Sequence, residues 1–102
     1  MVDIHDSEGT VFIRINTDSL DRANAVELRD AAANAVGTET KGVEVDCSTL
    51  KFIDSSGVGA LLHLNNLLPK HQGPVKLNNV AGTVLSVLEL VRVHRLFNLE
   101  VN

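Results

Sequence analysis

Tryptophan and tyrosine are absent from the 102 residues, and aromatic residues make up only 3% of the chain. Any core must therefore be built from Val, Leu, Ile and Ala. Stacking platforms for single-stranded nucleic acid are missing with the aromatics. A basic surface is missing too: the net charge is −4 and the nine Lys and Arg residues are scattered. That excludes a protein that neutralises a phosphate backbone, so no nucleic-acid partner is expected. A single cysteine, Cys47, rules out an internal disulfide and fits a reducing compartment. No apolar run approaches the ~20 residues that span a bilayer, so no membrane insertion is expected. The first residues, Met1 to Asp6, carry neither a basic nor an apolar segment of a secretory signal. The expected location is the cytoplasm.

What is present fits one domain over residues 1–102. Hydrophobic residues are 44% of the chain, which marks a globular protein. Folding at this length buries roughly 65% of the unfolded surface, enough for one core. Val2 to Asp6 reads as a short strand, and Ser7-Glu8-Gly9 as a turn. Thr10 to Asn16 alternates with period two: Val11, Ile13 and Ile15 on one face, Phe12 and Arg14 on the other. The two strands read as a hairpin.

A helix is predicted over Arg22 to Val36, where Ala25, Leu28, Ala32 and Ala35 recur at helical spacing. Asp21 can cap it, or Asn24 with Glu27 in a capping box. Gly37 stands where helices often end in a left-handed residue. Gly42 to Cys47 alternates again, with Val45 between Glu44 and Asp46, so one face of that strand is wet or functional. A second helix begins near Ser55 or Ser56 and is apolar almost all round, as in a centrally packed helix. Pro69 ends or kinks it. Val75 to Leu77 is a short strand, and Asn78 and Asn79 suggest turn or cap chemistry. Val84, Val87, Leu88 and Val91 mark a third helix, and Leu96 to Val101 offers a last strand. The order β-β-α-β-α-β-α, with that optional strand, is an α/β domain: a mixed sheet, an N-terminal antiparallel hairpin and right-handed parallel units.

The chemistry concentrates in Phe52-Ile53-Asp54-Ser55-Ser56-Gly57-Val58-Gly59. The stretch runs from a strand end into an apolar helix. Free backbone N–H groups and the helix dipole favour an anion there. A serine at that point serves as an N-cap, and Asp54 can cap as well. The same serine can accept a phosphoryl group whose charge the helix end would favour. Other chemistries fail on pattern. Gly57-Val58-Gly59 lacks the third glycine of a dinucleotide fingerprint, and no P-loop exists. The Gly-x-Ser-x-Gly elbow of a hydrolase is absent. His5, His63, His71 and His94 lack metal-ligand spacing and Cys47 stands alone. No catalytic residue, cofactor or metal is expected. Asp18, Asp21, Asp46 and Asp54 are candidates to converge on one rim of the sheet.

The acceptor stretch resembles the signature of STAS-domain anti-sigma factor antagonists. Ile13-Arg14-Ile15 with Leu20-Asp21 is similar to that family's second strand and acidic turn. Val43-Glu44-Val45-Asp46 is similar to the strand before the site. Val84 to Leu90, followed by Arg95-Leu96-Phe97, is similar to the closing helix and strand. The resemblance covers nearly the whole chain and implies a bacterial STAS fold with about three main helices on its sheet. It implies phosphorylation at Ser55 and partner contacts at Asp21, Asp54, Ser56, Gly57 and Val58. The implied partner is an anti-sigma factor that is itself an ATP-dependent serine kinase. A serine phosphatase would reset the protein, and a monomer or weak dimer is expected. The implied role is a binding switch rather than an enzyme, with a STAS subunit of a lipid or anion transport system as the alternative. A small-molecule domain using the helix end as an anion site is a third. Three departures stand out: the turn Asn16 to Asp21 has no glycine, Pro69 falls where relatives continue a helix, and Arg92 replaces a glycine.

Overall fold

The computed structural model describes residues 1–101. The hairpin forms as the alternation predicts: β1 (Val2–Ser7) pairs antiparallel with β2 (Thr10–Ile15). Glu8 and Gly9 turn the chain with positive φ. Next come the two-residue strand β3 (Ser19–Leu20), helix α1 (Ala25–Ala35) and strand β4 (Gly42–Asp46). Strand β5 (Phe52–Ile53) leads directly into α2 (Ser55–Leu67). Strand β6 (Lys76–Val80), helix α3 (Gly82–Leu90) and strand β7 (Asn98–Val101) follow, with single 3-10 turns at Lys70–Gln72 and His94–Leu96.

The main sheet has the order β1-β2-β4-β6-β7, with all pairs parallel except the hairpin. From β2 onward every crossover steps in the same direction across the sheet. Right-handed crossovers then place α1, α2 and α3 on one face. The residue pattern agrees. Val11, Ile13, Ile15, Val43, Val45 and Leu77 are buried, while the alternating Arg14, Glu44, Asp46 and Lys76 retain solvent contact. The core lies between that inner face and Leu28 and Ala32 of α1, Leu61 and Leu64 of α2, and Val84 and Leu88 of α3.

Several local expectations need correction. Helix α1 starts at Ala25 rather than Arg22, because Asp21 and Asn24 build a tight turn first. Asn24 stands at the N-cap position without a side-chain cap bond, since its side chain is engaged with Ser19 and Asp21. Gly37 is not left-handed; its amide donates to Thr40 Oγ1 at 2.8 Å. Asn78 and Asn79 lie inside β6, where Asn79 takes φ 58° beside an irregularity in the β6–β7 register. Pro69 does end the second helix: α2 stops at Leu67 and Leu68 is already extended.

Two features were not expected. Strands β3 and β5 pair in parallel as a separate two-stranded sheet, Ser19 against Phe52 and Leu20 against Ile53. Arg92 takes φ 62° just after α3. Its amide donates to Glu89 O and that of Val93 to Leu88 O, the paired bonds that close a helix C-terminus.

Candidate functional site

The small sheet β3–β5 brings together two loops far apart in sequence. Lys51 and Phe52 amides donate to the Asp18 carbonyl at 2.7 and 2.9 Å, and the Asp54 amide donates to the Leu20 carbonyl at 3.2 Å. Thr83 Oγ1 fastens the far side by donating to the Lys51 carbonyl at 2.5 Å. The chain leaves β5 at Ile53, whose side chain is buried, and must turn at once into α2.

Asp54 makes that turn. Its backbone is extended and its Oδ1 accepts from the Gly57 amide at 3.0 Å, so Asp54 is the N-cap of α2. Its other oxygen, Oδ2, accepts from the Arg22 amide at 3.3 Å. One carboxylate thereby caps a helix and holds the β3–α1 loop against it. Asp21 orders that loop from within. Ser19 Oγ donates to Asp21 Oδ2 at 2.9 Å, and the Ala23 amide donates to Oδ1 at 2.9 Å.

Ser55 is the first residue of α2, exposed, and with no side-chain hydrogen bond to the described residues. Helix geometry leaves the first-turn amides unpaired inside the helix, and the dipole adds partial positive charge beside the hydroxyl. A shallow concavity of about 540 Å³ is lined by Asp21, Arg22, Ala23, Asp54, Ser55 and Ser56. Four of the six residues expected at the site therefore surround one open space, and Arg22 adds its one cation.

Gly57 and Val58 do not join that surface. Both are buried, because α2 turns this side toward the core. Of the six residues expected at the site, these two lie below the exposed surface on which Ser55 stands. The four aspartates do not all converge either. Asp21 and Asp54 share the concavity, Asp18 contributes its carbonyl, and Asp46 points to the open face of the main sheet near Arg14. Burial raises the Asp46 pKa, but hydrogen bonds from Ser48 and Asn79 and the charge of Arg14 outweigh it and hold it below the usual value.

Sequence reasoning missed two residues. Arg22 falls inside the helix that the spacing predicts, but it stands in the loop before α1. Phe52 reads as part of an apolar strand, but it is 61% exposed, two residues before the helix cap. No sequence signal separates it from Ile53: both residues are apolar, and a two-residue strand has no alternation to read.

Known proteins extend this picture. The family model described as "Mlab, STAS domain" matches residues 2–99. No curated protein matches the chain in sequence. Among solved structures, the anti-sigma factor antagonist SpoIIAA in its unphosphorylated form is 25% identical, with a TM-score of 0.70 over 88% of this chain and 83% of that one. An anti-sigma factor antagonist from Mycobacterium paratuberculosis is 20% identical, with a TM-score of 0.81 over 98% of this chain and 84% of that one. The murine anion transporter Slc26a9 contains a similar domain, 20% identical with a TM-score of 0.69, covering 84% of this chain and 14% of the transporter. The latter two are likenesses of fold.

Proposed function

The chain belongs to the STAS domain family, and we propose that it works as an anti-sigma factor antagonist whose binding surface is switched by phosphorylation of Ser55. The observation that carries this reading is the division of roles at the start of α2. Asp54 caps the helix, which leaves the neighbouring Ser55 hydroxyl exposed and free for chemistry. Around it Asp21, Asp54 and Ser56 offer polar contacts to a partner, with Gly57 and Val58 holding the surface from below. Exposed Phe52 supplies the kind of aromatic anchor that dominates binding energy at interfaces. The likeness to SpoIIAA supports this reading.

The partner is an anti-sigma factor with serine kinase activity, and it brings the ATP. The Ser55 oxygen attacks the γ-phosphorus, a new O–P bond forms as the bond to the β,γ-bridging oxygen breaks, ADP departs, and the hydroxyl proton passes to a base of the kinase. The product adds about −1.5 to −2 charge at pH 7. Inside the domain that charge is favourably placed, at a helix N-terminus with Arg22 on the same concavity. At the interface it must be desolvated opposite a surface shaped for a hydroxyl, and Asp21 and Asp54 add repulsion. Phosphorylation thus releases the partner without unfolding the domain, and a serine phosphatase restores binding. Incubation with the cognate kinase and ATP is expected to add one phosphate, mapped to Ser55 by peptide mass spectrometry. A phosphate only at Ser56, or none with a proven partner kinase, overturns the assignment.

The likeness to a domain of an anion transporter favours a second reading, a STAS subunit of a membrane transport system. There the same surface is a standing interface and Ser55 stays unmodified. Co-purification separates the two: a serine kinase supports the first reading and a transport ATPase the second.

A further inference from the structure

With all three helices on one side, the other face of the main sheet is left open. Strand register arranges its side chains as a grid. One row runs His5, Phe12, Glu44 and Lys76, and the next runs Asp3, Arg14, Asp46 and Asn78. A cavity of about 400 Å³ opens over both rows, lined in part by Asp3, His5, Phe12, Arg14, Glu44 and Asn78.

Three observations describe what this cavity lacks. Each Lys or Arg on the face has an acidic partner other than Glu44: Arg14 lies 3.9 Å from Asp46, within the same cavity, and Lys76 lies 3.8 Å from Glu100. Glu44 has no cation partner among the described residues and accepts one neutral bond, from Asn78 Nδ2 at 3.0 Å. The other end of that amide, Asn78 Oδ1, is buried with no donor to meet it. Beside Glu44 on the next strand, the rings of Phe12 and His5 stack at 5.0 Å and 14°, forming a flat wall.

We propose that this open face binds an organic cation bearing a guanidinium group, seated between the aromatic wall and the Glu44 carboxylate. A guanidinium is flat, stacks on aromatic rings, sheds water more readily than an ammonium, and presents a fork of N–H donors. It supplies the charge that Glu44 lacks and a donor fork for its carboxylate. An anion is disfavoured by Asp3, Glu44 and Asp46. A neutral ring leaves Glu44 uncompensated. A metal ion has no group of three His, Cys, Asp or Glu placed to hold it among the described residues. The site is separate from Ser55 and owes nothing to the family likeness.

The test is a chemical-shift titration of the isotope-labelled chain with agmatine, and in a second arm with N-acetylarginine amide, each against sodium chloride at equal ionic strength. Saturable shifts confined to β1, β2, β4 and the Asn78 side-chain amide are expected. Response to agmatine alone supports a free small cation. Response to the arginine amide supports an arginine side chain as the source. Glu44→Gln keeps the acceptor for Asn78 and removes the charge, so affinity is expected to fall about tenfold, equivalent to about 1.4 kcal/mol. Phe12→Leu is expected to weaken binding as well, and Ser55→Asp to leave it unchanged. Both altered side chains sit on the solvated face, and circular dichroism checks that the variants are folded. Shifts that fail to saturate, that sodium chloride reproduces, or that persist undiminished in Glu44→Gln overturn the proposal.

Discussion

Gly57 lies so close to the Leu20 carbonyl that a Cβ built on Gly57 would stand 2.3 Å from the oxygen and 2.7 Å from Ile53 Cγ1. Helix α2 is thereby seated directly on the small β3–β5 sheet. The glycine is there to permit that approach, since a backbone carbonyl cannot swing away as a side chain can.

Gly57→Ala is therefore expected to destabilise the domain by about 1–3 kcal/mol, the usual cost of overpacking. Gly59 is the internal control. It sits in the same helix, and a methyl group there would meet nothing within 4 Å, so Gly59→Ala is expected to stabilise by about 0.5–1 kcal/mol. Thermal and urea unfolding of the two variants measure this, and equal effects of one sign would refute the close approach.

Asp54 and Ser55 are expected to separate stability from switching. Asp54→Ala removes the cap of α2 and the bond to the Arg22 amide, at about 1–2 kcal/mol, while Asp54→Asn retains most of that stability. Ser55→Ala, by contrast, is expected to stay within about 0.5 kcal/mol of wild type, because the serine caps nothing. Urea unfolding of the three variants reads the difference, and a Ser55→Ala loss as large as that of Asp54→Ala would reassign the cap.

Partner binding is expected to follow charge at Ser55. Ser55→Asp places a carboxylate at the proposed interface, where an unpaired charge costs about 2–5 kcal/mol, or roughly 30-fold to several-thousand-fold in affinity. Ser55→Ala keeps binding. Calorimetry with the purified partner reads both. Wild-type affinity in a folded Ser55→Asp protein would rule out an electrostatic switch.

Arg92 closes α3 in a conformation that suits glycine. A left-handed non-glycine residue is strained by about 1–2 kcal/mol, part of which is offset by the greater freedom of glycine in the unfolded chain. Arg92→Gly is expected to raise stability by about 0.5–1 kcal/mol. A loss of stability on denaturant unfolding would show that the guanidinium makes a compensating contact.

Cys47 is expected to be silent as a nucleophile. Burial pushes its thiol from 9.0 up to about 12, with the charge of Asp46 adding to the effect. The folded state then holds its proton more tightly than the unfolded state. This contribution to stability is complete below pH 9 and declines as pH rises toward 12. Alkylation near neutral pH is expected to proceed only at the rate of unfolding. Fast labelling of native protein would contradict the burial of this side chain.

The elements themselves were legible because their signals are local. Alternation at Val11, Ile13 and Ile15 requires only that one face of a strand be buried, and Pro69 disfavours a continuing helix through its own ring and missing N–H. The start of α2 was legible for the same reason: Asp54-Ser55-Ser56-Gly57 carries cap, hydroxyl and glycine within four residues. Which residue does which task was not. Asp54 and Ser55 are both good caps, and the choice fell to Asp54 because its second oxygen also meets the Arg22 amide, from a loop 32 residues away. Likewise Gly57 and Val58 belong to the motif, but only the docking of α2 on Leu20 turns them inward. Two-residue strands have no periodicity to read, so β3 and β5 exist only as a pairing of distant segments. The open face of the sheet is a consequence of topology: each strand's alternation shows a wet side, and only the shared direction of three right-handed crossovers brings those sides together as one uncovered surface.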